Sequence, residues 1–138
     1  MNPSTPQEWI AIAIERAADA EALKQQNRSL GAVYMAGYAI ECSLKAYLQR
    51  EGKPVPAYGA EGHNLKALWK ASGFHFCDLP DTEGEMTFYI ESWNTELRYE
   101  FAFDFPVPSN DLIEGAKRLT GWIHNRIRRQ SIHRRKKL

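Results

Sequence analysis

The sequence lacks the features that direct a protein to a membrane or to an oxidising compartment. Its 138 residues include only two cysteines, Cys42 and Cys77, which form neither a disulfide framework nor a Cys-x-x-Cys pair. No apolar run approaches the roughly 20 residues that a membrane helix needs. The first residues lack the basic stretch and unbroken apolar segment of a signal peptide. These absences predict a cytoplasmic protein without membrane contact.

Motifs for metal, phosphate and nucleophile sites are also missing. No Cys or His pair stands at metal-ligand spacing, and the chain has neither a glycine-rich phosphate loop nor a nucleophile elbow. Cys42 and Ser43 fall inside a predicted helix with no nearby base, which predicts that both are packing residues. The sequence therefore predicts no metal site and no bound cofactor.

Acidic residues are absent from the end of the chain. Residues 124–138 carry seven Lys or Arg and no Asp or Glu, a net charge of +7. Residues 1–123 carry 11 basic against 17 acidic residues, a net of −6, so the overall +1 hides an asymmetry. This pattern favours docking of the basic end on the acidic body, on an acidic partner or on phosphates. The side chains predicted to attract nucleic acid are Arg126, Arg128, Arg129, Arg134, Arg135, Lys136 and Lys137.

Apolar residues at three- and four-residue steps predict helices along most of the chain. A first helix is predicted over residues 6–26, with Thr5 as its N-cap. Ser29 is predicted to cap the second helix, which Gly52 ends. Asn64 is predicted to cap a short third helix.

The remaining elements complete an all-α fold. A helical segment is predicted to break at "NTE", and Ser109 is predicted to cap the last helix. We expect an up-and-down bundle of four long helical elements plus one short helix over residues 1–130, with a basic tail at residues 131–138. The buried row of the last helix stops at Ile127, which predicts that residues 129–138 fray into solvent.

Glu41 interrupts the apolar stripe of the second helix. Burying an unpaired carboxylate is costly, so Glu41 is expected to find a partner or to line a cleft. Lys45, one turn on, is placed for an i,i+4 ion pair, and Gly37, one turn back, would let another backbone or a ligand approach. The alternative is that Glu41 only fixes the bundle register. His63 either contacts a helix terminus or serves a ligand.

Arg98 follows Trp93 in the segment "WNTELRY". A guanidinium group beside aromatic rings can hold a phosphate or a carboxylate with two hydrogen bonds. Pairing of Arg98 with Glu41 inside the bundle is the structural alternative. The predicted ligand pocket comprises Glu41, Lys45, His63, Arg98 and Tyr99.

Three segments together resemble the HEPN family, the "higher eukaryotes and prokaryotes nucleotide-binding" domain. They are "YMAGYAIECSLKAYL", "GHNLKALW" and "WNTELRY", and the likeness extends over roughly residues 5–130. The resemblance implies a small helical bundle that forms a homodimer and binds nucleotide, RNA or a partner protein. Many bacterial members are paired with a minimal nucleotidyltransferase in two-gene modules, which implies a partner of that type here.

Other members of that family are metal-independent ribonucleases that carry Arg, four to six residues, and then His. Arg128 precedes His133 by four intervening residues, and Arg126 precedes it by six. In nuclease members, however, the Arg lies near the start of a late helix, where this chain has Arg98 with no His through Phe105. The pattern is therefore interpreted as accidental.

The leading hypothesis is a non-catalytic or degenerate HEPN-type binding and regulatory module within a toxin–antitoxin-like two-gene system. One alternative is a metal-independent ribonuclease that uses Arg128 and His133. Another is a structural assembly subunit held together by the acidic body and the basic tail.

Overall fold

The computed structural model describes residues 3–56, 63–100 and 105–137, with side chains described as far as Arg129. Over these residues the protein is all-helical, which confirms the predicted fold class. The α-helices are α1 (Pro6–Gln25), α2 (Ser29–Arg50), α3 (Leu65–Ala71), α4 (Glu85–Ser92) and α5 (Ser109–Lys137), and 3-10 helices span Phe76–Asp78 and Thr95–Tyr99. None of the helices in the described ranges combines the length and hydrophobicity that crossing a membrane requires.

Helix α2 forms the centre of the bundle. Its side chains are buried without interruption from Ala39 to Leu48, because other helices cover it on several sides. Helix α1 packs along α2 in the opposite direction, so that the Gln49 side chain near the end of α2 donates to the carbonyl of Ser4, just before α1.

Helix α5 runs parallel to α2. The Ser29 and Ser109 hydroxyl oxygens at the two helix starts are 3.3 Å apart, and further along Ser43 Oγ lies 2.9 Å from His124 Nε2. Nearly equal steps along both helices therefore bring matching positions together. The first turns of α2 and α5 lie at the same end of the bundle.

Short-range rules explain several helix ends. Thr5 Oγ1 accepts a hydrogen bond from the Glu8 backbone N–H at 3.1 Å, and Asn64 Oδ1 accepts one from Ala67 at 3.1 Å, as predicted. Gly52 follows α2 with a left-handed φ of 70°, which a residue with a Cβ rarely adopts.

The predicted caps at Ser29 and Ser109 are wrong. Each serine is the first residue of its helix, and α2 has Arg28 at the cap position with no side-chain hydrogen bond. Their hydroxyl groups bond to each other instead of to their own backbones. A tertiary contact has replaced the local one.

The predicted fraying of residues 129–138 is also wrong, because the α5 backbone stays helical through Lys137. The segment is rich in Arg, Gln and Lys, which have high helix propensity, and cations near a helix C-terminus are stabilised by the helix dipole. Helix formation here does not require burial. The side chains of His133, Arg134, Arg135, Lys136 and Lys137 lie outside the described residues.

Candidate functional site

The structure brings three of the five predicted pocket residues together around Glu41. The Glu41 side chain is 4% exposed, and its Oε2 lies 3.1 Å from Lys45 Nζ. Its Oε1 lies 2.9 Å from His63 Nδ1, so both carboxylate oxygens have a partner. The Lys45 ammonium group, 2% exposed, also lies 5.1 Å from the centre of the Trp9 ring. Charge compensation and hydrogen bonding explain why a carboxylate is tolerated in the apolar row.

Arg98 and Tyr99 lie away from this cluster, on the 3-10 helix Thr95–Tyr99. Both side chains are exposed, and the Arg98 guanidinium lies 4.9 Å from the centre of the Tyr99 ring. Hydrogen bonding to Tyr99, and then to Tyr34, raises the pKa of Arg98 further. The alternative in which Arg98 pairs with Glu41 is therefore wrong, because Glu41 is occupied by Lys45 and His63.

An aromatic wall made of Tyr34, Tyr38 and Trp93 separates Arg98 from His63. The Tyr34 and Tyr38 hydroxyl groups are 2.9 Å apart, and the Tyr38 ring stands edge-on to Trp93 at 5.2 Å between centres. The Tyr38 ring also meets the His63 ring at 6.1 Å. Burial, and then the hydrogen bond with Tyr34, raises the pKa of Tyr38, so this hydroxyl stays protonated.

One cleft, here the arginine cleft, opens on the Tyr34 side of the wall. It has a volume of about 690 Å³ and lies between the α1–α2 turn and the 3-10 helix Thr95–Tyr99. Among the described residues, two arginines line it, Arg28 and Arg98, together with one acidic residue, Glu100. Over the described ranges neither arginine has a carboxylate within 4.0 Å. The cleft therefore presents cationic donors to a ligand.

A second cleft, here the histidine cleft, opens on the other side of the wall. Its volume is about 550 Å³. His63, Asn64, Lys66, Trp93 and Asn94 line it together with the carboxylates Glu91 and Glu96. With two acids and one lysine it is more acidic than the arginine cleft.

Ser43, predicted to have no nearby base, is hydrogen-bonded to His124. The Ser43 hydroxyl donates to the Ala39 carbonyl at 2.7 Å, so it can only accept from His124 Nε2 at 2.9 Å. Burial, and then repulsion from Arg128, lowers the pKa of His124, which favours its neutral form. Since Ser43 is fully buried, this pair joins α2 to α5 and offers no accessible nucleophile.

The arginines in the described part of the basic end make contacts at the surface. The Arg126 guanidinium lies 4.3 Å from the centre of the Trp122 ring, and Arg128 donates to the Asn125 side chain. Arg129 is exposed. No group of three or more potential metal ligands occurs in the ranges for which side chains are described.

Three residues of the arginine cleft and of the aromatic wall were missed by sequence reasoning. Tyr34 and Tyr38 stand one turn apart on α2, but aromatic residues at that spacing are typical of a buried stripe. Arg28 lies in the turn between α1 and α2, where no periodicity applies. The turn itself is signalled by Asn27, which adopts a left-handed φ of 60°.

A family model described as "HEPN domain" matches residues 6–128, nearly the whole chain. No curated protein and no solved structure matches the sequence.

Proposed function

Because the chain belongs to the HEPN domain family, we propose that it is a binding and regulatory module that recognises the phosphate groups of a nucleotide or of RNA in the arginine cleft. The observation that carries this proposal is that two arginines, Arg28 and Arg98, line one cleft. A guanidinium group offers paired N–H donors that match phosphate oxygens.

The size and surroundings of the arginine cleft support the same ligand class. Its volume of about 690 Å³ lies within the range of roughly 300–1,000 Å³ common for small-molecule sites. Tyr34 and the adjacent exposed Tyr99 provide ring surfaces next to Arg98, and base rings stack on such surfaces. Among the described residues that line the cleft, Glu100 is the one acidic residue against two arginines, so these residues together carry a net positive charge.

The proposal assigns no catalytic role to Arg128. Ser29 lines the arginine cleft and contacts Ser109 at the start of α5. Arg128 follows Ser109 by 19 residues, which at about 1.5 Å per residue places it roughly 28 Å along the helix. Within one chain, the arginine cleft and the Arg128 region therefore lie at opposite ends of α5.

A binding assay with two single variants tests the proposal. Anisotropy of a fluorescein-labelled ten-nucleotide adenylate RNA, and calorimetry with ATP, measure the affinities of the parent, Arg28→Ala and Arg98→Ala. Loss of a charged hydrogen bond is worth about 1.5–3 kcal/mol, so each variant is expected to bind about 10- to 100-fold more weakly.

Lys70→Ala is the matched control. Lys70 is exposed on α3 and lines neither cleft, so its loss removes one positive charge without removing a phosphate contact. We expect a change below about twofold. Folded Arg28→Ala and Arg98→Ala proteins that bind both ligands as tightly as the parent would exclude the arginine cleft as the site.

The compartment, the oligomeric state and the protein partner are also proposals. We propose that the module acts in the cytoplasm as a homodimer, beside a nucleotidyltransferase-type partner. The exposed free thiol of Cys77 suits a reducing compartment, and Ile14, 58% exposed on α1, gives a position at which a contact between copies can be tested. Solution mass of the parent and of Ile14→Lys tests the dimer, and co-purification with the product of a neighbouring gene tests the partner.

A further inference from the structure

His63 is held in a fixed orientation by a buried carboxylate. Glu41 is 4% exposed and contacts Lys45 through one oxygen and His63 through the other. Because Glu41 is anchored on both sides, the imidazole ring that it contacts has little freedom to rotate. The packing of the His63 ring against the edge of Tyr38 adds a second restraint.

The Glu41 contact also determines which imidazole nitrogen carries a proton. An ionised carboxylate only accepts hydrogen bonds, so the His63 nitrogen that lies 2.9 Å away, Nδ1, must be the donor. In neutral His63 the other nitrogen, Nε2, is then an acceptor with an available lone pair. Over the described ranges no hydrogen bond to Nε2 is present, and the side chain is 39% exposed.

The histidine cleft is suited to a neutral polar group more than to phosphate. Glu91 and Glu96 outnumber Lys66 among its charged residues, and like charges disfavour a phosphate there. An acceptor at Nε2 requires a donor on the ligand, and a hydroxyl group is a neutral donor.

The two clefts are close enough for one ligand. The Tyr34 and Tyr38 rings are 5.1 Å apart and the Tyr38 and His63 rings 6.1 Å, which puts Tyr34 and His63 no more than about 11 Å apart. Tyr34 lines the arginine cleft and His63 the histidine cleft. A short oligonucleotide covers that distance while its bases contact the aromatic wall.

We propose that His63 Nε2 accepts a hydrogen bond from a ribose 2′-hydroxyl, so that the two clefts together select RNA over DNA. This inference rests on the proposed phosphate recognition in the arginine cleft and adds a specificity-determining residue to it. The 2′-hydroxyl is the group by which a protein tells RNA from DNA at a given position.

The test compares three labelled ten-nucleotide adenylate probes: RNA, DNA and 2′-O-methyl RNA, whose methyl group removes the donor while keeping an RNA-like sugar. One hydrogen bond corresponds to about a three- to tenfold change in affinity, so the parent should prefer RNA to both other probes by that factor. His63→Ala should bind RNA more weakly than the parent by that factor. Its affinity for DNA and for 2′-O-methyl RNA should change by less than about twofold. Thermal unfolding of His63→Ala verifies that the variant is folded.

The outcomes separate this inference from the proposed function. A parent protein that binds RNA and DNA equally well, or a folded His63→Ala protein that weakens on all three probes by the same factor, overturns the role of His63. Arg98→Ala should weaken all probes alike, since phosphate is common to them. A parent protein that binds none of the probes overturns the role of His63, and one that also fails to bind ATP overturns the proposed function.

Discussion

The Trp93 ring occupies the space in which a side chain at position 37 would lie, and Gly37 leaves that space open. A methyl group added at Gly37 would lie 2.0 Å from Trp93 Nε1, far inside van der Waals contact. The Trp93 indole N–H uses this proximity to donate to the Tyr34 carbonyl at 3.2 Å. Since Trp93 lines the histidine cleft and Tyr34 the arginine cleft, this contact holds the two clefts in register.

Gly37→Ala is expected to lower the free energy of unfolding by about 1–3 kcal/mol, because the Trp93 ring must move and its hydrogen bond must lengthen or break. Urea denaturation measures the change. Gly121→Ala is the matched control, since Gly121 also lies within a helix but its added methyl group meets no atom within 4 Å. That variant should be more stable by about 0.5–1 kcal/mol. Equal stability of the two variants would contradict the packing described for Trp93.

Glu41 and Lys45 are expected to be strongly coupled. Glu41→Gln and Lys45→Met each leave one buried charge without its partner, and each should cost about 3–5 kcal/mol of unfolding free energy. The double variant leaves neither charge and should be more stable than the sum of the single effects implies, by about 1–3 kcal/mol. The same cycle on the exposed pair Arg16–Asp19 should give less than about 1 kcal/mol. Additive effects of the two substitutions on the unfolding free energy would show that Glu41 and Lys45 do not stabilise each other.

His124 is expected to make stability depend on pH. Its pKa is lowered in the folded protein, first by burial and then by Arg128, so the unfolded chain binds the proton more readily. Stability from this residue is therefore complete above the ordinary histidine pKa of about 6.5 and declines as the pH falls below it. Urea midpoints of the parent and of His124→Gln at pH 8 and at pH 5 measure the difference.

The variant His124→Gln should lose less stability between pH 8 and pH 5 than the parent does, because it removes the group that takes up the proton. His75→Gln, at an exposed position, is the control and should follow the parent. A parent and a His124→Gln protein with the same pH dependence would show that His124 is equally easy to protonate in both states.

Truncation after Gln130 is expected to reduce the salt dependence of RNA binding. Residues 131–138 include four Lys or Arg, and each contact to a single-strand phosphate contributes about 0.7 to the slope of log affinity against log salt. The slope should therefore fall by up to about 3. The contribution of Arg98 to the slope should remain. Anisotropy between 50 and 300 mM salt, conditions chosen on the order of physiological ionic strength, measures it.

The full chain, the chain truncated after Gln130 and two single variants test the ribonuclease alternative. We expect no metal-independent cleavage of RNA by the full chain. Cleavage that disappears in both Arg128→Ala and His133→Ala would favour the nuclease hypothesis, and cleavage that survives the truncation would exclude the assignment to Arg128 and His133.

Residues governed by short-range rules were predictable, and those governed by distant contacts were not. Thr5, Asn64 and Gly52 act within one turn of their own helix, so their roles follow from sequence. Ser29 satisfies the same local rule, but its hydroxyl bonds to a serine 80 residues away.

The residues of the candidate site also divide into those that short-range rules predict and those that depend on distant contacts. The Glu41–Lys45 pair follows from helical spacing, and only its burial needed the fold. His63 stands out in the sequence because it precedes the cap of the short helix, but its contact with Glu41 spans 22 residues and depends on the fold. The separation of Arg98 from Glu41 depends on the route of the chain after Trp93, and the approach of His124 to Ser43 depends on the parallel alignment of α2 with α5. Neither the position of Arg98 nor the contact of His124 with Ser43 follows from the spacing of residues in the sequence.

The side-by-side, same-direction arrangement of α2 and α5 makes the bundle electrically polar. Each helix carries about half a positive charge at its beginning and half a negative charge at its end, so the partial charges of the two aligned helices add, and the oppositely directed α1 offsets only part of their sum. Ser29 at the start of α2 lines the arginine cleft, and its contact with Ser109 brings the start of α5 next to it, so an approaching anion is attracted by both backbones as well as by the arginines. At the far end the surplus is negative, and the cationic sequence that closes the chain offsets it there.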